Sequence, residues 1–378
     1  MTNTTDLAVG LEAWGWDERW AAEFEQLARD GQWPGRVIAQ HRGAWDVIGA
    51  KGETVASATG RLRHESDDDG LPTVGDWVVC TDPVHGGRAP IVAVLPRRSV
   101  VRRHAAGSRE GAQVLAGNVD VLFVATSLNG DLNPKRLERY VVMAHDSGTE
   151  PVVLLTKSDL AGDFSDGDSG PDPESPDGGA AAAQLETALR VPVVAISSRT
   201  GHGIDALGRW FAPGRTLALV GSSGVGKSTL LNLLAGAELM TTSAIREDDD
   251  RGRHTTTHRE LFRLPGGALL LDTPGMRELG LWDVEDGIDE TFGEIAELAA
   301  SCRFADCSHA FEPGCAILAA VKAGRLDEGR VIRYRSLTRE VVDQHPTAER
   351  RAKDRRFNKA VRAASAEAAD RRTNRDRG

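Results

Sequence analysis

The sequence predicts a multidomain α/β protein, in which a small β-barrel precedes a parallel α/β domain and a cysteine-containing helical domain follows it. Three observations support this class. Short β-like runs separated by polar turns fill residues 35–105, as is typical of a five-stranded OB-type barrel. From Val119 onward, nearly continuous apolar strands alternate with helical segments, which indicates a parallel sheet covered on both faces. One of these strands ends in a glycine-rich loop at Gly221 that leads directly into a helical pattern.

Charge is distributed unevenly along the 378-residue chain, whose formal net charge is −10. The segment from Pro346 to Gly378 nevertheless contains eleven Lys and Arg residues against five Asp and Glu. A basic tail on an acidic body indicates contact with nucleic acid, because phosphate groups attract the tail and repel the rest.

Hydropathy and cysteine content narrow the class of protein further. No apolar stretch reaches the length of a membrane span, and the N-terminus MTNTTDLAVG lacks the charged and apolar regions of a signal peptide. We therefore expect a cytoplasmic, monomeric protein without a membrane partner. In that compartment the four cysteines are expected to bind metal or to be buried rather than to form disulfides.

The N-terminal part of the chain predicts packing elements. Leu11 to Asp30 has the spacing of an amphipathic helix capped by Asp17. One side of that helix is formed by Trp16, Trp20, Phe24 and Leu27. The barrel strands are predicted at VIAQ, WDVIGA, TVASATGRL, DWVVC and PIVAVL. Cys80, in DWVVC, is expected to be an inert buried residue.

A basic cluster follows the barrel. It comprises Arg97, Arg98, Arg102, Arg103 and His104. This cluster is either a contact for nucleic acid or an ordinary solvated linker, since charged runs commonly do no more than face water.

The glycine-rich loop lies in Leu217 to Leu230, LALVGSSGVGKSTL, and fits the pattern G-x-x-x-x-G-K-[ST]. Its glycines allow backbone N–H groups to turn inward around a polyphosphate, and the N-terminus of the next helix favours negative charge. Lys227 is predicted to reach the β- and γ-phosphates as a catalytic residue, and Ser228 to bind Mg²⁺. The phosphate-binding set is Gly221, Ser222, Ser223, Gly224, Val225, Gly226, Lys227, Ser228 and Thr229. The alternative is a strand-to-helix turn without a ligand.

A second motif follows an earlier strand and consists of Thr156, Lys157, Ser158 and Asp159. A carboxylate there can accept hydrogen bonds from the N1–H and the 2-amino group of guanine, a pair of donors that adenine does not present. Ser197 and Ser198 follow the next strand and are expected to place backbone N–H groups near the guanine carbonyl oxygen. By itself T-K-x-D could equally be a helix cap. Together with the phosphate loop it predicts binding of GTP and GDP.

Two later segments complete the predicted magnesium and γ-phosphate site. In the sequence DTPG, Asp272 is expected to hold the water shell of Mg²⁺, and Gly275 to donate its N–H to the γ-phosphate. The run GRHTTT lies between the phosphate loop and Asp272. One of its threonines, Thr255 to Thr257, is expected to coordinate Mg²⁺ only when the γ-phosphate is present, and Thr256 is our choice among them.

The order of these motifs is unusual, because Asp159 precedes Gly221, whereas ordinary GTPases carry the phosphate loop first and the base-reading motif last. With a barrel before these motifs and a Cys/His cluster after them, the chain resembles the circularly permuted GTPases of the ribosome small-subunit-dependent GTPase A family. The resemblance rests on TKSD, GSSGVGKST, GRHTTT, DTPG and the cysteine cluster, and covers Leu11 to Phe357. It implies a GTPase that acts as a switch in late maturation of the small (30S) ribosomal subunit. It further implies rRNA binding through the barrel and the zinc domain, and turnover stimulated by the subunit.

The residue that positions the attacking water is not evident from the phosphate motifs. Met276 stands where many GTPases have a water-orienting glutamine, and its side chain cannot hydrogen-bond a nucleophile. His254 is the predicted replacement, in line with the resemblance to permuted GTPases, and His258 is the second choice. The alternative is a histidine that only packs in, or solvates, its loop. Gly224 stands where potassium-activated GTPases carry asparagine, so that signature is absent from the sequence.

The cysteine cluster has the spacing Cys302-x₄-Cys307-x-His309-x₅-Cys315. Three thiolates and one imidazole form a closed tetrahedral site for one Zn²⁺. A long loop with little apolar core needs such a crosslink, and the family resemblance carries the same spacing onto these four residues. The alternative is a set of three buried cysteines and a surface histidine.

The predicted domains are a helical extension at 1–34, an OB-fold barrel at 35–105, a circularly permuted GTPase domain at 112–284 with a disordered insertion at 161–179, a zinc-binding helical domain at 285–345 and a basic tail at 346–378. Two other functions stay open at this stage. One is a nucleic-acid-binding assembly scaffold in which nucleotide turnover is incidental. The other is a P-loop NTPase or kinase that acts on a small molecule.

Overall fold

The computed structural model describes residues 10–66, 70–83, 86–104, 112–128, 132–160, 178–236, 259–272, 285–304 and 306–344. The chain divides into two compact units, Met1–Gly280 and Leu281–Gly378. The barrel and the α/β domain both lie in the first unit. The individual domain limits given above stay predictions.

The first described segment packs against the barrel. A 3₁₀ turn at Leu11–Trp14 is followed by helix α1 (Glu18–Leu27). Asp17 caps α1 as predicted, because its carboxylate accepts a hydrogen bond of 2.8 Å from the Trp20 amide. The apolar cluster beneath this segment contains Leu11, Trp16, Trp20, Phe24, Trp77, Val79 and Leu95. The predicted extent of the helix, Leu11 to Asp30, is wrong, because α1 spans only Glu18–Leu27. Leu27, which the sequence groups with the aromatic residues, is 45% exposed where α1 ends and the backbone of Ala28 becomes extended.

The barrel consists of β1 (Gln32–His41), β2 (Ala44–Gly49), β3 (Gly52–Ala58), β4 (Trp77–Thr81) and β5 (Ala89–Val94). The strands pair in the order β1-β2-β3-β5-β4, and an antiparallel pairing of β1 with β4 closes the barrel. This five-stranded architecture confirms the predicted OB-type barrel. The end of the predicted strand TVASATGRL is wrong, because helix α2 (Gly60–Glu65) begins there. Thr59 caps α2 by accepting a 3.3 Å hydrogen bond from the Leu62 amide.

After the barrel, β6 (Val100–His104) and β7 (Ala112–Gly117) form a two-stranded antiparallel ribbon. The basic cluster begins before this ribbon and continues into β6. Its first two arginines, Arg97 and Arg98, stabilise the fold. Arg97 donates two hydrogen bonds, of 2.8 and 2.7 Å, to the buried carboxylate of Asp76. Arg98 pairs with Asp17 at 2.6 Å, and its guanidinium lies 3.9 Å from the centre of the Trp20 ring. These two side chains therefore do not belong to an open basic patch.

The α/β domain has six strands in the described residues: β8 (Val121–Ser127), β9 (Glu150–Thr156), β10 (Val193–Ala195), β11 (Thr216–Gly221), β12 (Arg259–Arg263) and β13 (Leu269–Asp272). They pair in the order β10-β9-β8-β11-β13-β12, in parallel except for β12. The strand that leads into the phosphate loop, β11, therefore lies inside the sheet although β8, β9 and β10 precede it in sequence. This arrangement confirms the predicted parallel sheet and the permuted motif order.

The described helices of this domain are α3 (Pro134–Asp146), α4 (Gly179–Leu189) and α5 (Lys227–Ala235). Asn133 caps α3 through a bond from the Arg136 amide, and a proline follows at the first helical position, where its missing N–H costs nothing. Most of the predicted insertion, residues 161–177, lies outside the described residues. The described chain resumes at residue 178, and α4 begins at Gly179.

The barrel and the α/β domain share one eleven-stranded sheet. The junction is the antiparallel pairing of β1 with β12, in which Ala39 faces Glu260 and Gln40 faces Arg259. Arg36 on β1 strengthens the junction, because its guanidinium donates a 2.7 Å hydrogen bond to the hydroxyl of Thr216. Thr216 is the first residue of β11, so the barrel contacts the strand that carries the phosphate loop.

The second unit is helical in its described residues, as predicted. It contains α6 (Glu285–Thr291), α7 (Gly293–Ala299), α8 (Ala316–Lys322) and α9 (Glu328–Gln344). Arg330 on α9 joins two of these helices, since it pairs with Glu294 and donates a 2.8 Å bond to the Thr291 carbonyl. Its guanidinium also lies 4.7 Å from the centre of the buried Phe292 ring. Among the helices described in either unit, none is both long enough and apolar enough to cross a membrane.

Candidate nucleotide and zinc sites

The phosphate loop is shaped by glycines that no other residue could replace without strain. Gly221 ends β11 with φ +142°, and a Cβ atom at this position would lie 2.2 Å from the Ala125 carbonyl oxygen on β8. Gly226 has φ +93° and precedes the first residue of α5. The chain therefore turns from strand to helix within Gly221–Gly226. This turn directs the amides of the first turn of α5 toward the loop, where they favour an anion.

Lys227 lies at the mouth of this loop. Its ammonium donates a 2.7 Å hydrogen bond to the Gly221 carbonyl and a second bond to the Ser222 carbonyl. Ser228 follows Lys227 in the first turn of α5 and is partly buried, whereas Thr229 is exposed. The cation is thus held against the loop that is predicted to surround the polyphosphate.

The T-K-x-D motif is joined to the phosphate loop by Thr156. This residue ends β9 and is 3% exposed. Its hydroxyl lies 2.6 Å from the Val225 carbonyl and 3.1 Å from the Thr126 carbonyl. Because a hydroxyl has one proton to donate, the shorter contact to Val225 is the principal bond. Two motifs that are 69 residues apart in sequence are thereby connected directly.

Asp159 follows Thr156 in a tightly held turn. Lys157 adopts φ +58°, and the amide of the buried Ser158 donates a 3.1 Å bond to the Ile196 carbonyl. One carboxylate oxygen of Asp159 accepts a 2.5 Å bond from the Ser197 hydroxyl. This bond, with help from Arg199, holds the pKa of Asp159 below the ordinary value of 3.8. The carboxylate is therefore ionised at neutral pH and can accept hydrogen bonds from a purine edge.

The second oxygen of the same carboxylate is bound by Arg199. The Nε and Nη2 atoms of Arg199 lie 2.7 and 2.6 Å from Oδ2 of Asp159. The arginine side chain is 71% exposed, whereas the aspartate side chain is 11% exposed. Sequence reasoning did not single out Arg199, because an exposed arginine in a turn has no motif that marks it.

Ser197 lies beside Asp159, and Ser198 is the next residue in the turn that follows β10. The Ser197 amide donates to the His202 carbonyl at 3.0 Å, and its hydroxyl binds Asp159. Ser197 therefore supports the carboxylate through its side chain, and its amide is already engaged. The turn that follows is tight, since a Cβ atom at Gly203 would lie 2.1 Å from the Ala195 carbonyl.

Other predicted residues of the nucleotide site lie outside the part of the chain that the structure describes. These are His254, Thr255, Thr256, Thr257, His258, Gly275 and Met276. The backbone of Asp272 is described and ends β13, which pairs in parallel with β11. The carboxyl ends of β11 and β13 therefore reach the same edge of the sheet, as the predicted magnesium site requires.

The four predicted zinc ligands come together in the second unit. The Sγ atoms of Cys302, Cys307 and Cys315 and a ring nitrogen of His309 all lie within 4.8 Å of one another. Nδ1 of His309 is 3.6 Å from the sulfur atoms of both Cys302 and Cys315, and these sulfur atoms are 3.9 Å apart. A tetrahedral zinc site with Zn–S bonds of about 2.3 Å has neighbouring sulfur atoms about 3.8 Å apart. The donor set and its spacing therefore fit Zn²⁺.

Backbone groups around this cluster are arranged to stabilise thiolates. The Ala316 amide donates to the sulfur of Cys302 at 3.4 Å, and the Leu318 amide donates to the sulfur of Cys315 at 3.5 Å. His309 is buried and has φ +58°, so a strained turn directs its ring toward the sulfur atoms.

Glu312 organises the loop between His309 and Cys315 and was missed in the sequence. Its carboxylate accepts bonds from the amides of Ser308, Ala310 and Phe311 at 2.9 to 3.1 Å. The hydroxyl of Ser308 also donates to it and, as the largest cause, holds the pKa of Glu312 well below its usual range. An acidic residue inside a ligand loop could have suggested this function, because turns commonly use carboxylates to satisfy their amides.

The fold and these contacts define a P-loop GTPase whose sheet is built from a circularly permuted chain. A sequence profile described as RsgA GTPase matches residues 94–282. The chain is 46% identical over 341 residues to the small ribosomal subunit biogenesis GTPase RsgA of Opitutus terrae, and the match covers 87% of this chain and 89% of the relative. The chain therefore belongs to the RsgA GTPase family, whose reaction converts GTP to GDP with Mg²⁺ as the metal.

Two solved structures share the fold of this chain. The crystal structure of YjeQ from Thermotoga maritima is 25% identical, has a TM-score of 0.59, and the match covers 82% of this chain and 99% of that chain. The crystal structure of YloQ, described as a circularly permuted GTPase, has the same fold with a TM-score of 0.57, at 24% identity and over 84% and 99% of the two chains.

Proposed function

We propose that GTP and GDP bind where the phosphate loop and the T-K-x-D motif meet. The strongest support for this is the hydrogen bond from Thr156 to Val225. That bond links the end of β9, which leads into Asp159, to the loop Gly221–Gly226, and so supports binding of one nucleotide by both motifs. The loop glycines surround the polyphosphate with amides, and Lys227 leaves its carbonyl partners to bind the β- and γ-phosphates.

Asp159 reads the guanine edge by accepting bonds from N1–H and the 2-amino group. Ser197 holds the carboxylate in its ionised form, as the 2.5 Å contact of its hydroxyl favours. The Ser198 amide is left as the donor to the guanine carbonyl oxygen, since the Ser197 amide already bonds to His202. Adenine is rejected because its edge does not present the two donors that the carboxylate accepts from guanine.

The magnesium and γ-phosphate contacts come from residues spread over several motifs. Ser228 binds Mg²⁺ directly, and Asp272 holds the water shell of the ion. Thr256 coordinates Mg²⁺ only when the γ-phosphate is present. Gly275 donates to the γ-phosphate. His254 orients the attacking water, with His258 as the second choice, because Met276 cannot do so.

One Zn²⁺ is held by Cys302, Cys307, His309 and Cys315. The four donors leave no position for substrate, so the ion supports the fold rather than the reaction. It crosslinks the loop before α8 to Cys302, which lies shortly after the end of α7, and thus replaces an apolar core that this loop lacks.

The cellular function proposed for the chain is that of a GTP-operated switch in maturation of the small ribosomal subunit. The support is the name of its relatives, small ribosomal subunit biogenesis GTPase, together with the basic tail at 346–378. Contact with rRNA is assigned to the barrel, the zinc-containing unit and this tail, which lies beyond the described residues. The protein acts as a cytoplasmic monomer in this proposal.

The decisive experiment measures GTP hydrolysis by the full chain with and without purified small ribosomal subunits. We expect the subunit to raise turnover, and Lys227→Ala to abolish most of it, because the variant lacks the cation that stabilises the transferred phosphoryl group. A chain that binds subunits but shows no stimulated turnover would favour the assembly-scaffold alternative. A chain that ignores subunits in both nucleotide states would favour a small-molecule NTPase.

A further inference from the structure

Arg199 contacts the same carboxylate that is proposed to read guanine. Its Nε and Nη2 atoms lie 2.7 and 2.6 Å from Oδ2 of Asp159. Oδ1 of Asp159 accepts the hydroxyl proton of Ser197 at 2.5 Å. Both of these side chains come from the turn at residues 197–199, which the chain places beside the base-reading motif.

The number of hydrogen bonds that one oxygen can accept limits what this carboxylate can do at once. A carboxylate oxygen has two lone pairs. The Nε–H of Arg199 donates to Oδ2, and Nη2 of the same guanidinium lies 2.6 Å from that oxygen, so the arginine crowds the oxygen that guanine needs. Guanine presents its N1–H and 2-amino group as a pair, which requires both carboxylate oxygens. Oδ2 can accept from the base only after Arg199 has moved away.

We propose that Arg199 is an internal competitor of guanine, which occupies Asp159 in the nucleotide-free protein and lowers the affinity for GTP and GDP. This inference rests on the proposed role of Asp159. The arginine is suited to such a task because it is 71% exposed and can move into solvent without disturbing the core. In the nucleotide-free protein Arg199 pairs with the ionised carboxylate of Asp159. Nucleotide binding then requires that this ion pair break.

The competition has two consequences that a purely structural arginine would not produce. GTP and GDP share the same base, so both should be affected equally and their affinity ratio should not change. An exposed ion pair is also screened by salt, so the competition should weaken as ionic strength rises.

The test compares the parent chain with Arg199→Ala in equilibrium binding of GDP and of a non-hydrolysable GTP analogue, at low and at high salt. Exposed ion pairs contribute about 0.2–1 kcal/mol, so the variant should bind both nucleotides up to about fivefold more tightly at low salt. The gain should shrink toward none at about 1 M salt, where the Debye length is about 3 Å. Arg199→Lys keeps the positive charge but not the contact through two guanidinium nitrogens. Its nucleotide affinity should lie between those of the parent and of Arg199→Ala.

Two control variants keep the outcomes distinct. Arg42→Ala removes another exposed positive charge, from the turn between β1 and β2, and should leave both affinities at the parent value. Asp159→Asn removes the carboxylate, and Arg199→Ala added to it should produce no gain.

Unchanged or weaker nucleotide binding by Arg199→Ala, in a protein whose Asp159→Asn variant has lost guanine affinity, would overturn the competitor role alone. If Asp159→Asn binds GDP as the parent does, the proposed reading of guanine by Asp159 fails, and the competitor role fails with it.

Discussion

The hydroxyl of Thr156 lies 2.6 Å from the carbonyl oxygen of Val225, and this contact connects the base-reading motif to the phosphate loop. Both groups are buried, and Val225 is 1% exposed. A nucleotide that binds at its base and at its phosphates needs these two segments at a constant separation. The bond maintains that separation before any ligand binds. The free-energy cost of ordering the site on binding is therefore lower.

Thr156→Val should remove the hydrogen bond between the base-reading motif and the phosphate loop while keeping the shape of the side chain. It leaves the carbonyl of Val225 without the hydroxyl donor, which costs about 1–3 kcal/mol for a buried acceptor. We expect a lower free energy of unfolding and weaker GDP binding, measured by urea denaturation and calorimetry. Thr156→Ser retains the hydroxyl and should recover most GDP affinity. A valine variant with parent affinity would show that the bond does not organise the site.

Asp159→Asn should exchange the base preference. An amide donor then faces the purine, which disfavours the 2-amino group of guanine and favours the 2-oxo group of xanthine. Each lost hydrogen bond to the charged carboxylate is worth about 1.5–3 kcal/mol, so GTP should bind at least about tenfold more weakly. Competition between GTP and xanthosine triphosphate measures the change. Equal preference in parent and variant would contradict the assignment.

Ser197→Ala should raise the pKa of Asp159, because the hydrogen bond from Ser197 is the largest cause of its lowered value. For an acid whose pKa is lowered in the folded protein, the stabilising contribution is complete above the ordinary value of 3.8 and is lost as pH falls through the folded value. The parent should therefore keep an ionised Asp159 at a pH where the variant is partly protonated. The carboxyl ¹³C chemical shift of Asp159, followed between neutral and acidic pH, reports both curves. Coincident titrations would rule out this function of Ser197.

Cys307→Ser should reduce the zinc content from one ion per chain to almost none and lower the melting temperature of the second unit. GDP affinity should remain at the parent value, because the nucleotide residues belong to the first unit. Metal analysis and calorimetry provide the two measurements. Cys80→Ala is the matched control, since this buried barrel cysteine is not in the cluster, and it should retain the ion. Zinc that persists in a Cys302, Cys307 and Cys315 triple variant would refute the site.

Deletion of residues 346–378 should weaken binding to small ribosomal subunits and flatten its dependence on salt. The segment carries eleven Lys and Arg against five Asp and Glu, and each phosphate that a cation neutralises releases counterions. Binding measured over a series of salt concentrations yields the slope, and GDP affinity serves as the control for an intact first unit. A truncated chain with the parent slope would place the rRNA contacts elsewhere.

The sequence determined the elements whose signal is local. The barrel strands, the phosphate loop, the Asp17 cap and the spacing of the zinc ligands were each readable because period, turn chemistry and ligand spacing depend on near neighbours in the chain. The same local reasoning was wrong about where elements end. A helix begins at Gly60 inside the predicted strand, and the helix predicted to reach Asp30 ends at Leu27. Ends depend on what the next segment packs against, and the local pattern does not contain that information.

The tertiary structure alone decided which distant residues meet. It joined Thr156 to Val225, placed Arg199 on Asp159 and used Arg97 and Arg98 inside the fold rather than as a basic surface. It also extended the sheet from β12 into the barrel strand β1. These contacts are set by chain topology and by the requirement that buried polar groups find partners. A one-dimensional pattern shows which residues can donate or accept, whereas only the folded chain brings a particular donor within reach of a particular acceptor.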